Sequence, residues 1–313
     1  IEKSNYKDIP SFEAVLPKFL IVKDKNHTYM SMNIKLKNKK NIRELIEEFW
    51  NLRKRVLSKK EIISINKSDQ FNCEYFYKLL EQSKDDLLKK VSYGIQLINN
   101  DILKKLVIGS RLIFKTNKGL NLVFILKKLR VNHPNSCKYV WKRNSNDITF
   151  GASPEKLFSF NKNLLTFQAV AGTAPSNIDK RLLLKSQKDL LEHNYVKDYL
   201  FDCLSNFKIN EYKIKKLNVI EFGDVSHLCT EINANLEVIC PFKLLEYLHP
   251  SPAVCGIPKI EALYWINRIE IFDRGNYAAP IGWTDSNGNS DFRVAIRGAR
   301  FINKGIEITA GSG

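Results

Sequence analysis

The chain of 313 residues lacks most of the patterns that announce a function class. It has no apolar run of membrane length: stretches such as Leu122 to Leu126 fall far short of the ~20 residues a bilayer span requires. Its cysteines (Cys73, Cys137, Cys203, Cys229, Cys240, Cys255) form no CxxC pair and no paired spacing, which excludes a disulfide scaffold and a zinc ribbon and points to a reducing, cytoplasmic compartment. The sequons at Asn26 and Asn66 carry no weight without secretion, and no signal peptide stands out between Ile1 and Met30. P-loop, GxGxxG, HExxH and GxSxG strings are missing, which argues against nucleotide-dependent, zinc-dependent and serine-hydrolase chemistry. There is no internal repeat and no low-complexity linker. Disorder is excluded too, because 44% of residues are hydrophobic and 11% aromatic.

Acidic residues are the scarcer charge, 33 Asp+Glu against 50 Lys+Arg, for a formal +17. That excess could draw nucleic acid, but the basic residues are dispersed with acids between them. The densest run, Lys35 to Lys40, has no interleaved aromatics for base stacking. Solvated faces account for the charge better, so neither a nucleic acid nor a membrane is expected as a partner.

Turn and periodicity signals outline an α+β protein. Residues 1–100 form an N-terminal α+β region: a hairpin from Phe19 to Leu36 turning at Asp24 to Asn26, a helix capped by Asn41, and a second helix from Ser83 to Asn99. Residues 101–313 are richer in strands, expected over Leu106–Phe114, Gly119–Leu126, Tyr139–Arg143, Ile148–Gly151, Leu157–Phe160, Leu164–Ala171, Asn218–Phe222, Leu228–Val238, Tyr277–Asp285, Asp291–Phe301 and Ile306–Ala310. One long helix is expected over Lys180–Leu204, with shorter ones from Pro241 and Pro258. Short turns between strands imply large antiparallel sheets with helices packed outside them.

Polar residues recur inside apolar, glycine-containing strings: Gly151-Ala-Ser-Pro-Glu155-Lys-Leu, Ala169-Val-Ala-Gly-Thr-Ala-Pro, Asp189-Leu-Leu-Glu-His193, Ser226-His-Leu-Cys-Thr230, Leu248-His-Pro-Ser-Pro-Ala-Val254, Phe272-Asp-Arg-Gly-Asn-Tyr-Ala-Ala-Pro-Ile-Gly-Trp283 and Val294-Ala-Ile-Arg297. In this order they resemble the chorismate-utilising enzyme family, which includes isochorismate synthases, salicylate synthases and the large components of anthranilate and aminodeoxychorismate synthases. The resemblance covers roughly Lys104 to Gly313 and is strongest toward the isochorismate synthases. It implies the fold of that family and a magnesium-dependent isomerisation of chorismate, in which water adds at C2 as the C4 hydroxyl leaves. A salicylate synthase, which goes on to eliminate pyruvate, is the nearest alternative. A basic nucleic-acid-binding protein and an inactive member of the family are the others.

Roles follow residue by residue from the resemblance. Lys105 is expected to activate the water. Lysine serves as a base only where burial strips it of its proton. Glu155 is the expected general acid for the departing hydroxyl, a task that requires a dry pocket. Asp189 and Glu192, three residues apart on one helix face, are expected to bind Mg2+, a hard cation that takes a few carboxylates, waters and substrate oxygens. Arg297 would clamp the enolpyruvyl carboxylate with its guanidinium fork, helped by the backbone N–H of Gly311. Thr173, His249 and Tyr277 are expected to line the substrate site, while His227 reads equally well as a core histidine. Lysine at position 105 favours water over ammonia as nucleophile. Ala253, where pyruvate-eliminating relatives usually carry Thr, favours stopping at isochorismate. The pattern continues in the family with a segment whose glutamates complete the magnesium site. This chain stops at Gly313, so it is expected to be a fragment truncated at the C-terminus that binds Mg2+ weakly and is nearly inactive. A monomer is expected.

Overall fold

A computed structural model describes residues 12–23, 26–35, 42–58, 76–77, 84–115, 120–177 and 179–313. Its contacts divide the chain into a unit of residues 6–72 and a larger unit of residues 1–5 with 73–313. In the smaller unit, β1 (Phe19–Lys23) and β2 (Thr28–Met32) pair antiparallel with Ile21 opposite Met30, and α1 (Ile42–Leu57) follows. Lys18 and Glu48 form an exposed ion pair there, 2.6 Å between Nζ and Oε1. The Asp24 turn, the Asn41 cap, the basic run after Lys35, Asn66, Cys73, Ser83 and Gly119 lie outside the described residues.

The larger unit runs β3 (Phe76–Tyr77), α2 (Lys84–Asn99), β4 (Lys105–Leu106), β5 (Ile108–Lys115), α3 (Leu122–Asn132), β6 (Cys137–Asn144), β7 (Asp147–Ser153), β8 (Lys156–Asn161), β9 (Leu164–Pro175), α4 (Lys180–Lys185) and α5 (Gln187–Asn206). It continues with β10 (Lys213–Ile214), β11 (Asn218–Phe222), β12 (Val225–Asn235), α6 (Pro241–Leu248), β13 (Gly256–Ile257), α7 (Lys259–Ile269), β14 (Pro280–Thr284), β15 (Ser290–Val294), β16 (Gly298–Ile302) and β17 (Gly305–Ser312). A seven-stranded sheet has the order β10-β12-β9-β8-β15-β14, with β11 also on β12, and a six-stranded sheet has the order β3-β5-β17-β16-β7-β6. Every pairing among the described residues is antiparallel, as the short turns imply, and the architecture is α+β. No helix among the described residues is long and apolar enough to cross a membrane.

Alternation along β9 builds the main core. Leu165, Phe167, Ala169 and Ala171 point to one side, where they meet Val196, Leu200, Cys203 and Leu204 of α5 and Leu244 and Leu248 of α6. A second cluster joins Leu97 of α2, Leu103, Leu106, Ile108 and Ala262, Ile266 and Ile269 of α7, so α2 packs within the larger unit.

Four expectations are corrected. The strand expected over Gly119–Leu126 is instead the start of α3. Asn121 caps it by accepting from Phe124 N at 3.1 Å, and Leu122, Ile125 and Leu129 lie at helical spacing against Ile148, Phe150 and Phe301. The helix expected over Lys180–Leu204 is two helices, because Ser186 ends α4 and caps α5, its Oγ accepting from Asp189 N at 3.3 Å. The strand expected over Asp291–Phe301 switches sheets: β15 belongs to the seven-stranded sheet and β16 to the six-stranded one. Arg297 sits at the break with φ +50, not within a strand. Tyr277 likewise lies in a turn ahead of β14.

Candidate active site

Lys105 enters the site because β4 is a two-residue strand pinned on both sides. It pairs with β13, and Lys104 N and Val107 N donate to Ile257 O (2.8 Å) and Cys255 O (2.7 Å). Leu103 and Leu106 anchor this segment in the core, so the pleat buries Lys105, 6% exposed, while Lys104 faces solvent. The Lys105 ammonium donates to Glu192 Oε1 at 2.5 Å.

Glu155 is set by the Ser-Pro turn between β7 and β8. Ser153 Oγ donates to Val294 O at 2.6 Å and accepts from Glu155 N at 3.2 Å, while Val294 N donates to Glu155 O at 3.2 Å. The carboxyl is buried, and burial pushes its pKa up to about 7 against the opposing pull of the Ser251 hydroxyl, the Lys105 ammonium and the Arg297 guanidinium. Ser251 Oγ lies 3.4 Å from Glu155 Oε1. Sequence reading missed this partner, although its Leu-His-Pro-Ser-Pro string was in view.

Thr173 owes its placement to a bulge. Thr173 pairs with His227 and Ala171 with Leu228, which leaves Gly172 unpaired at φ +74. A side chain at Gly172 would also strike Asp189, whose Cβ would be 2.9 Å away, so α5 approaches β9 at this point. Thr173 therefore lies within β9. Its N–H donates to Asp189 Oδ1 at 3.3 Å, and its Oγ1 lies 3.0 Å from His227 Nδ1.

Arg297 reaches the same wall. Its Nη1 donates to Phe222 O at 3.2 Å and its Nη2 to His227 Nε2 at 2.5 Å. Burial lowers the arginine's pKa, with Glu155 opposing, and burial followed by the nearby guanidinium drives His227 down to about 4. Sequence reading left His227 open as a core residue, and the structure makes it a partner of both Arg297 and Thr173. Tyr277 and Gly311 also come together: the main chain of Gly311 lies against the tyrosine hydroxyl. A Cβ on Gly311 would be 2.5 Å from that oxygen, so glycine permits the approach.

Asp189 and Glu192 share one face of α5, and both already hold partners, Thr173 N and Lys105 Nζ. Two carboxylates suit a magnesium ion that keeps waters and substrate oxygens in its shell, so the donor chemistry fits that ion. No group of three or more His, Cys, Asp or Glu side chains poised for a metal occurs among the described residues. His193 turns away from these carboxylates into the core, with Nε2 2.8 Å from Thr230 Oγ1, and burial lowers its pKa to about 4. His249 closes α6, its carbonyl accepting from Lys259 Nζ at 2.7 Å. Its Nδ1 is buried without a hydrogen-bond partner, and burial takes its pKa to about 4. Ala253 packs against the main core beside Ser251.

The sequence matches the family described as Chorismate binding enzyme over residues 1–313. It is similar to the vibriobactin-specific isochorismate synthase of Vibrio cholerae, 28% identical over 246 residues that cover 75% of this chain and 62% of that protein. Similarity to the isochorismate synthase MenF of Bacillus subtilis reaches 32% over 242 residues, 74% of this chain and 51% of that one. The chain thus spans between half and two thirds of the length of these two relatives. The solved DhbC structure of Bacillus anthracis superimposes with a TM-score of 0.72 at 25% identity, over 92% of this chain and 71% of its own.

Proposed function

This chain belongs to the chorismate binding enzyme family, and from that premise we propose that it is an isochorismate synthase acting on chorismate in the cytoplasm as a monomer. The observation that carries the reading is a buried carboxylic acid with its pKa pushed up to about 7, set electrostatically against a buried lysine. Such an acid is still partly protonated at neutral pH and can deliver its proton to a leaving hydroxyl.

In the proposed reaction, a water oxygen forms a bond to C2 and gives its proton to the Lys105 amine. The C4–O bond breaks as Glu155 protonates the departing hydroxyl, which leaves as water. To serve as base, Lys105 must first lose a proton and release the Glu192 carboxylate that its ammonium holds in this structure. Arg297 and Tyr277 would bind the enolpyruvyl carboxylate, with Gly311 as their neighbour on β17, and Thr173 the ring carboxylate region. His249 and Ala253 would bound the site on the side of Ser251. Asp189 and Glu192 would hold Mg2+, which supplies neutralisation of the ring carboxylate when bound.

Incubation of the protein with chorismate and Mg2+, followed by separation of products, tests the proposal: isochorismate is the expected product and chelation should abolish its formation. Salicylate with pyruvate would instead favour the salicylate synthase reading. Absence of turnover together with a salt-sensitive shift of DNA or RNA would defeat the enzymatic reading.

A further inference from the structure

The hydrogen bonds along one wall of the site have a fixed direction. Arg297 has only donors, so the 2.5 Å contact from its Nη2 makes His227 Nε2 an acceptor. The single proton of the neutral ring must then sit on Nδ1, and it faces Thr173 Oγ1 at 3.0 Å. Thr173 Oγ1 consequently receives a hydrogen bond, and its own O–H is left to point elsewhere. The threonine main chain is held in turn, its N–H donating to Asp189 Oδ1 at 3.3 Å. Four elements are thereby linked: the break at residues 295–297, β12, the β9 bulge and α5.

From this order of donors and acceptors we infer that His227 is a positioning residue. In its Nδ1–H form it holds the Arg297 guanidinium and compels the Thr173 hydroxyl to act as a donor toward an anionic group in the cleft. A buried imidazole could make these contacts in only one tautomer. The Nε2–H form would set two donors against each other at Arg297, and the imidazolium would set two cations together. The inference rests on the proposed carboxylate-binding roles of Arg297 and Thr173 and extends them. One histidine serves both ends of the substrate, the enolpyruvyl clamp and the ring carboxylate.

Long-range 1H–15N spectra of the full chain labelled at histidine nitrogen test the hydrogen-bond order without any turnover, with His227 assigned by its loss in His227→Gln. The expected signal is the neutral Nδ1–H form at pH 7, giving way to a mixture in Arg297→Met. An Nε2–H or imidazolium signal in the unmodified protein overturns the proposal. The kinetic arm is a KM-against-kcat split. His227→Leu should raise KM for chorismate about tenfold or more, the worth of a charge-assisted hydrogen bond, with a much smaller change in kcat. His227→Gln, whose amide oxygen can accept from Arg297, should recover most of that loss. An equal loss in both variants means a merely structural role and overturns the proposal. Where His227→Leu fails to fold, Thr173→Val supplies the second reading: KM should rise while the Nδ1–H signal persists, and an unchanged KM counts against the inference. A protein with the expected tautomer that neither turns over nor binds chorismate refutes the functional reading alone and leaves the hydrogen-bond order intact.

Discussion

The two sheets that flank the candidate site are built to different standards. Among the described residues, the seven-stranded sheet with α5 and α6 buries a cluster of twenty hydrophobic side chains, and Phe158, Leu165, Phe167, Ile232, Leu244 and Leu248 within it are fully enclosed. The cluster between the six-stranded sheet and α3 has three buried members, Ile148, Phe150 and Phe301, with partly exposed neighbours around them. The functional groups divide accordingly. Thr173 and His227, with Asp189 and Glu192 facing them from α5, stand on the sealed sheet and are held by packing as well as by hydrogen bonds. Gly311 stands on the lighter sheet, paired with Gly109 through main chain alone. The contrast teaches where rigidity is concentrated: the wall that must orient several polar side chains at once is the wall with the dense core behind it.

The largest effects should come from the proposed acid and base, Glu155 and Lys105. Glu155→Gln should lower kcat by about 10²–10⁴-fold with a normal melting curve, and Lys105→Met by a similar factor, since each removes a proton-transfer group. Retention of more than a tenth of the activity by either variant would end the acid–base reading. Next comes the contrast in packing itself. Phe167→Ala on the sealed sheet should cost about 3–5 kcal/mol in urea unfolding, and Phe150→Ala on the lighter sheet should cost distinctly less. Equal losses would erase the distinction drawn between the sheets.

Acid should strike the sealed side and its surroundings. His193, His227 and His249 each have pKa values lowered to about 4 by burial, so the folded protein keeps them neutral while the unfolded chain takes up protons from about 6.5 downward. Stability should therefore be whole above that pH and decline as pH falls toward 4, by up to about 1.4 kcal/mol per pH unit for each histidine. A flat stability profile across that window would contradict the burial of these rings. On the basic side, the proposed role requires Glu155 to be protonated, so kcat/KM should fall up to tenfold per pH unit above about pH 7. Its raised pKa also means that its contribution to stability is present below about 4.5 and is lost as pH rises through 7. The smallest effect concerns outcome rather than rate. Ala253→Thr should add a minor yield of pyruvate to an otherwise unchanged isochorismate product, measured by coupled detection of pyruvate, and its complete absence would remove position 253 from the choice of product.

Much of this site was legible one string at a time, because local chemistry carried the signal. Ser-Pro before Glu155 specifies a turn, three-residue spacing puts Asp189 and Glu192 on one helix face, and the alternation of β9 marks its buried side. What could not be read were partners far apart in the chain. Nothing near Lys105 announces Glu192, nothing near Glu155 announces Ser251, and His227 looks the same in isolation whether it fills a core or holds an arginine. The apolar run from Leu122 to Leu126 is also too short for periodicity to tell strand from helix, and only the Ile148, Phe150 and Phe301 surface selects the helix.

The amino-acid order by itself determined most of the elements, the family and the identities of the ionisable groups, since propensity, capping and turn chemistry act over a few residues. Only the tertiary structure decided that the strand through Arg297 changes sheets, that Gly172 makes a bulge, and that Lys105 and Glu155 are enclosed while Lys104 is not. The reason is physical: burial and hydrogen-bond direction belong to surfaces that exist only after distant segments have packed, and these quantities set whether a carboxyl keeps its proton and which ring nitrogen carries one.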